Sequence, residues 1–65
     1  MTDFKTIERK IVANGWFLVR SNGSHYMYKN RLGNLTVTIP NRKGQDLPVG
    51  IIHSLEKITG LSLLR

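Results

Sequence analysis

The sequence predicts one small two-layer α+β domain with the element order α-β-β-β-α, an antiparallel meander and both helices on one face of the sheet. Three observations carry this prediction. Apolar residues recur at helical spacing near both ends of the chain, and Asn22-Gly23 separates two runs rich in aromatic and β-branched residues. Residues 35–39 alternate between apolar side chains and threonine, which is typical of a strand with one buried face.

The two helices are predicted from their apolar stripes and their end signals. Helix one runs over about Asp3–Ala13, with Thr2 or Asp3 as its cap and Asn14-Gly15 as its end. Its stripe consists of Phe4, Ile7, Ile11 and Val12. Asp46 can cap the second helix, which ends at Gly60. The stripe of that helix consists of Val49, Ile51, Ile52, Leu55 and Ile58. The following tail, residues 61–65, is apolar enough that we expect it to pack on the domain or on a partner.

The strands are predicted over Trp16–Arg20, His25–Lys29 and Leu35–Ile39, with Pro40 ending the third because proline cannot donate to a ladder. Asn-Gly tolerates positive φ at both positions and favours a two-residue hairpin turn. With that turn Arg20 pairs with His25. The pattern leaves open which face of the hairpin is buried, because Phe17, Val19, Tyr26 and Tyr28 share one parity whereas Trp16, Leu18 and Met27 share the other.

Composition excludes several classes of protein. The chain has 65 residues, which predicts a single domain over residues 1–65, and it contains no cysteine. Disulfides, thiol nucleophiles and cysteine-ligated metal centres are therefore excluded. No apolar stretch is long enough to span a bilayer or to form a signal peptide, so we expect a cytoplasmic protein. Ten basic against four acidic residues give a net charge of +6, which predicts an anionic partner such as RNA or an acidic protein.

His25 is the strongest candidate for chemistry. An imidazole takes up and releases protons near neutral pH. Arg20 is predicted opposite His25 and Lys29 lies four residues along the same strand, an arrangement that suits a phosphodiester, since the cations hold the phosphate while histidine moves protons. RNA would also supply its own 2′-hydroxyl as the nucleophile. Spacing alone nevertheless favours an exposed strand histidine without a chemical role.

The other polar candidates have simpler interpretations. No Ser-His-Asp triad that would make Ser24 a nucleophile is predicted, and a serine at this position is more typical of a turn. His53 lies away from the apolar stripe of the second helix. Two histidines 28 residues apart, without a cysteine or a nearby acidic residue, predict no metal site. Five basic residues lie on the hairpin or in loops and could form one patch for nucleic acid: Arg20, Lys29, Arg31, Arg42 and Lys43. Tyr26 and Tyr28 between them could stack on bases or could simply belong to the core.

Taken in order, several short motifs resemble the HicA (YcfA-like) toxin family over almost the whole chain. They are Gly15-Trp16, Val19-Arg20, Gly23-Ser24-His25, Val37-Thr38-Ile39-Pro40, Gly50 and Gly60-Leu61-Ser62. Gly-Ser-His alone is a weak signal, whereas the ordered set is specific.

The resemblance implies a fold similar to the double-stranded RNA-binding domain and the activity of a metal-independent mRNA interferase, with no cofactor. It assigns catalysis to His25. We then expect RNA to lie over the hairpin and the loop after the third strand, with RNA contacts from Arg20, Gly23, Ser24, Lys29, Arg42 and Lys43. It further implies a HicB-like antitoxin as the protein partner, with the toxin monomeric alone and oligomeric in the complex. The alternatives are a non-catalytic RNA-binding module, a degenerate toxin, or a module that docks an acidic partner.

One position departs from the family pattern. Members often carry a second histidine two residues after the proline that ends the third strand, where this chain has Arg42. Arginine binds phosphate well but does not exchange protons at neutral pH. Activity is therefore lower if that residue assists the chemistry, and preserved if the residue only contacts RNA.

Overall fold

The computed structural model describes residues 2–64 and has the predicted order of elements. They are α1 (Phe4–Ala13), β1 (Phe17–Asn22), β2 (His25–Lys29), β3 (Thr36–Pro40) and α2 (Val49–Thr59). The strands form one sheet in the order β1-β2-β3, and both pairs are antiparallel. The predicted α+β fold is therefore confirmed. Within residues 2–64 neither helix is long and apolar enough to cross a bilayer.

The first helix is bounded as its sequence predicts. The Asp3 side chain caps α1 by accepting a hydrogen bond from the Thr6 backbone N–H at 3.1 Å. Hydrogen bonds from the side chain and backbone of Thr6 hold the pKa of the Asp3 carboxyl below its usual value, because they stabilise its charged form. At the other end Asn14 is the C-cap. The face of α1 that carries Phe4, Ile7 and Ile11 is buried.

The second helix begins later than predicted. Its N-cap is Pro48, which forms no side-chain cap, so the prediction that Asp46 caps this helix is wrong. Asp46 instead forms an isolated antiparallel bridge with Asp3 and accepts a hydrogen bond from the Thr2 N–H. A contact across more than forty residues thus replaces a local cap. The predicted end at Gly60 is confirmed, because this glycine adopts the left-handed conformation at φ 73°.

The hairpin turn lies one residue later than predicted. Asn22 pairs with His25, so Gly23-Ser24 forms the two-residue loop. Gly23 has φ 62° and no residue other than glycine among those described has positive φ, which is the pattern of a type II′ turn. Because the turn is shifted, the predicted pairing of Arg20 with His25 is wrong, and Arg20 pairs with Met27. Farther from the turn, a bulge between Leu18 and Arg20 shifts the register again.

One hydrophobic core lies between the sheet and the two helices. Tyr28, Val37 and Ile39 form the sheet side of this core, and both helices pack against that same face. The Tyr28 hydroxyl donates a hydrogen bond to the Glu8 carboxylate of α1. Burial, reinforced by that carboxylate, raises the pKa of Tyr28 above its usual value. Tyr28 therefore belongs to the core and is not a base-stacking residue; Tyr26 packs partly buried against the same core.

The tail after α2 folds back onto the domain, as its apolar composition predicts. Leu63 is fully buried in the core. Its N–H donates to the Glu56 carboxylate at 2.8 Å, and its carbonyl accepts from the Lys10 ammonium at 3.2 Å. The tail is thereby attached to both helices. Arg65, the last residue of the predicted tail, lies outside the described residues.

Candidate functional site

The pleat of the sheet leaves one face without a helix, which we call the open face. Three rows of paired residues cross it, because side chains of paired residues point to the same side. The rows are Asn22–His25–Pro40, Arg20–Met27–Thr38 and Phe17–Lys29–Thr36. The opposite face of the same strands carries Tyr28, Val37 and Ile39 and is covered by the helices. The structure thus decides which face of the hairpin is buried.

His25 lies exposed at the end of this face that is next to the hairpin turn. It lines a depression of about 280 Å³ together with Arg20, Asn22, Met27 and Thr38. Among the described residues no carboxylate lines this depression, and the guanidinium of Arg20 supplies a permanent positive charge there. An anion that enters it would meet a hydrogen-bonding base and a planar cation with a fixed fork of donors.

Arg20 reaches this depression although it does not pair with His25. Its partner Met27 lies two residues from His25 on β2, so Arg20 and His25 are diagonal neighbours across the strand pair. Diagonal neighbours lie about 7–8 Å apart, within the reach of a long side chain. Arg20 is therefore near His25, as predicted, but as a diagonal neighbour and not as its pairing partner.

His25 lies between the hairpin turn, which precedes it in the chain, and Lys29, which ends the same strand. Lys29 is on the open face, two rows away, and is half-buried. Gly23 and Ser24 form the exposed turn, and the Ser24 carbonyl accepts a hydrogen bond from the Asn41 N–H at 2.6 Å. This hydrogen bond joins the turn to the loop after β3. The backbone of Gly23 is open to solvent, because a Cβ atom added there would meet nothing within 4 Å.

Arg42 and Lys43 lie in a different cleft from His25. They line a cleft of about 460 Å³ opposite the first turns of α1, which contributes Lys5 among others. The remaining lining residues are Asp3, Phe4, Glu8, Asn41 and Gly44. Neither Arg42 nor Lys43 lines the depression around His25. The residues predicted to bind RNA therefore form two groups, which meet where Asn41 contacts the turn.

A third cleft, which the sequence does not reveal, begins at His25 and crosses the edge of β3 to α2. It has a volume of about 640 Å³ and is lined mostly by apolar side chains, among them Val37, Ile51 and Ile58. His25 and Thr38 line both this cleft and the smaller depression. The cleft arises from the packing of α2 beside an edge strand, and no local pattern in either segment signals it.

The remaining candidates lie elsewhere. His53 is exposed on α2 and lines none of these three clefts. Within residues 2–64 no three or more histidine, aspartate or glutamate side chains come together in a group that could hold a metal ion.

Comparison with known protein families identifies a match for this chain. A family model described as the HicA toxin of bacterial toxin–antitoxin systems matches residues 4–61, which include both helices, all three strands and His25. No curated protein matches the chain. On the strength of the family match, the chain belongs to the HicA toxin family of bacterial toxin–antitoxin systems.

Proposed function

We propose that this HicA-family toxin is a cytoplasmic endoribonuclease that cleaves mRNA, with His25 as the residue that moves the proton. The observation that carries the proposal is the depression in which an exposed imidazole and the Arg20 side chain face the same space without a carboxylate from any described residue. Such a pocket attracts a phosphodiester and supplies a proton acceptor beside it.

In the proposed reaction the imidazole of His25 accepts the proton of a ribose 2′-hydroxyl. The 2′-oxygen then forms a bond to the adjacent phosphorus, and the bond from phosphorus to the 5′-oxygen breaks. Water donates a proton to the leaving 5′-oxygen, so the products carry a 2′,3′-cyclic phosphate and a 5′-hydroxyl. Arg20 stabilises the negative charge that develops on the phosphoryl oxygens, because a guanidinium donates two parallel hydrogen bonds to them.

A chemical change in the RNA substrate tests the role of the 2′-hydroxyl directly. We expect the purified protein to cut single-stranded RNA, and we expect a 2′-deoxy substitution at the cleaved nucleotide to abolish cutting at that bond, because the nucleophile is then missing. The substrate is an end-labelled oligonucleotide, and its fragments are separated beside a ladder of cyclic-phosphate ends. Cutting that persists at the 2′-deoxy position would contradict the proposed nucleophile.

The proposed RNA path runs from the open face around the hairpin turn. Lys29 and Arg20 would contact phosphates on the open face, and the open backbone at Gly23 and Ser24 would let a phosphate approach the turn closely. Beyond the turn, Arg42 and Lys43 would contact the strand in the cleft beside α1. The hydrogen bond between Asn41 and Ser24 joins the loop that carries Arg42 and Lys43 to the hairpin turn.

We expect the paired substitution Arg42→Gln and Lys43→Gln to weaken RNA binding and to make it less sensitive to salt. On single-stranded RNA, each cation removed from a phosphate lowers the slope of log affinity against log salt by about 0.7. The measurement is fluorescence anisotropy of labelled RNA over a series of salt concentrations.

Lys57→Gln is the matched control for that experiment. Lys57 is an exposed cation on the last turn of α2 and lines none of the three clefts. The substitution removes one charge at a position away from the proposed RNA path. An equal change of slope per charge in both variants would show that only net charge matters and that the loop does not bind RNA specifically.

We also propose a HicB-like antitoxin as the protein partner, with the toxin monomeric when alone and oligomeric in the complex. The net charge of +6 suits an acidic partner, and a protein that covers the open face would block access to His25. Arg42, which replaces the second histidine of many relatives, is proposed to bind phosphate in this chain.

A further inference from the structure

Phe17 is a large apolar side chain on the open face that has no role in the core. It is 47% exposed. It belongs neither to the buried cluster nor to the partly buried apolar residues that pack against that cluster. Packing on this domain therefore does not explain an aromatic residue at this position.

The bulge in β1 is the reason why Phe17 faces this side. In regular alternation, residues three apart in a strand point to opposite faces. The extra residue between Leu18 and Arg20 changes the register, so that Phe17 pairs with Lys29 and Arg20 pairs with Met27 on the same face. Bulges frequently re-aim a side chain next to a functional site. Here the bulge places an aromatic ring on the face that carries His25.

The neighbours of Phe17 on this face are cations. Lys29 lies directly opposite it, and Arg20 lies in the next row. Successive rows are about 7 Å apart, so the Phe17 row lies roughly 13 Å from the His25 row. An exposed ring beside two cations, on the surface that leads to the proposed catalytic histidine, combines the two elements of single-strand recognition. These are a platform for a base and positive charge for the adjacent phosphates.

We propose that Phe17 stacks on a nucleobase of single-stranded RNA bound along the open face, a few nucleotides from the phosphate that His25 acts on. This inference rests on the proposed ribonuclease function and names the residue that positions its substrate. RNA is favoured as the occupant because the ring lies beside Lys29 and Arg20 on the same face as His25, where the proposed substrate binds. Leu18, equally exposed at 46%, pairs with the buried Tyr28 and so faces the other side.

The test measures binding separately from cleavage. All variants carry His25→Ala, so that the RNA stays intact, and the probe is a labelled random-sequence single strand of about 12 nucleotides, a length within the range of known single-strand sites. We expect Phe17→Ala to weaken binding by about 5- to 100-fold, Phe17→Trp to bind at least as tightly as the parent, and Leu18→Ala to leave affinity unchanged.

A second probe isolates the base from the backbone. It is an abasic ribose–phosphate chain of the same length, which offers Phe17 no base to stack on. We expect Phe17→Ala to have no effect on this probe, whereas Lys29→Gln weakens binding of both probes because Lys29 contacts phosphate. Circular dichroism melts confirm that each variant is folded.

Each outcome bears on one proposal or on both. Equal affinity of Phe17→Ala and its parent for base-bearing RNA would overturn the stacking role, as would an equal loss of affinity for both probes. A variant that binds RNA normally but no longer binds the antitoxin would assign Phe17 to a protein interface and also overturn it. If Phe17→Ala behaves as expected while otherwise unmodified protein does not cleave RNA, cleavage fails and stacking stands. If the parent binds neither probe, stacking is wrong, and cleavage by the unmodified protein decides the ribonuclease proposal separately.

Discussion

Replacing His25 with alanine is expected to lower RNA cleavage by roughly 10²–10⁴-fold, the usual contribution of a positioned general acid–base group. The side chain is exposed at the end of the sheet and takes no part in the core, so the fold should be retained. Arg20 would still bind the phosphate, and RNA affinity should therefore change far less than the rate. The measurement is the single-turnover rate of cleavage, with affinity measured in parallel.

The second histidine provides the matched control. His53→Ala removes the same side chain from an exposed position on α2 that lines none of the three clefts, and it should leave the rate unchanged. In cells, induced wild type and His53→Ala should arrest growth with loss of mRNA, whereas His25→Ala should do neither. Equal cleavage by His25→Ala and wild type would remove His25 from the mechanism.

Binding of RNA without cleavage by the wild-type protein would favour the non-catalytic or degenerate alternative. The residue to examine is then Arg42, because the family resemblance predicts a histidine at this position and arginine cannot exchange protons at neutral pH. Cleavage that appears in Arg42→His but not in wild type would show that this chain lacks an assisting group rather than the whole site.

Replacing Leu63 with alanine is expected to destabilise the domain by about 2–4 kcal/mol, the usual cost of a cavity left by a buried leucine. A domain of about this size is marginally stable, so a loss of this magnitude is a large part of its total free energy of unfolding. The melting temperature should fall by on the order of 10 °C or more. Thermal and urea unfolding followed by circular dichroism measure both quantities.

The next residue in the chain is the control. Leu64 is 44% exposed, and Leu64→Ala should change stability by no more than about 0.5 kcal/mol. Both substitutions remove the same atoms from the same tail, so the difference between their effects on stability measures the contribution of burial. If the two variants melt at the same temperature, the tail does not contribute to the core, and its hydrogen bonds to Glu56 and Lys10 do not hold it there.

Local signals in the sequence determined the elements and the position of the candidate catalytic residue. The apolar stripe of α1, the Asp3 cap and the left-handed Gly60 each act within one or two turns of chain, so their consequences follow from neighbouring residues. His25 at the mouth of the hairpin follows equally from a glycine turn between two strand-forming runs.

Long-range pairing decided the rest. The hairpin turn at Gly23-Ser24, one residue later than predicted, gave Arg20 the partner Met27. The bulge in β1 brought Phe17 onto the open face, and no residue within β1 signals it, because the register depends on how β2 fits against the strand. Asp46 likewise does not cap the second helix but forms a long-range bridge with Asp3. Periodicity of two shows that a strand has two faces, but only the helices that cover one of them determine which is the core. The sequence alone therefore placed His25 in the hairpin, whereas tertiary packing selected the residues that surround it.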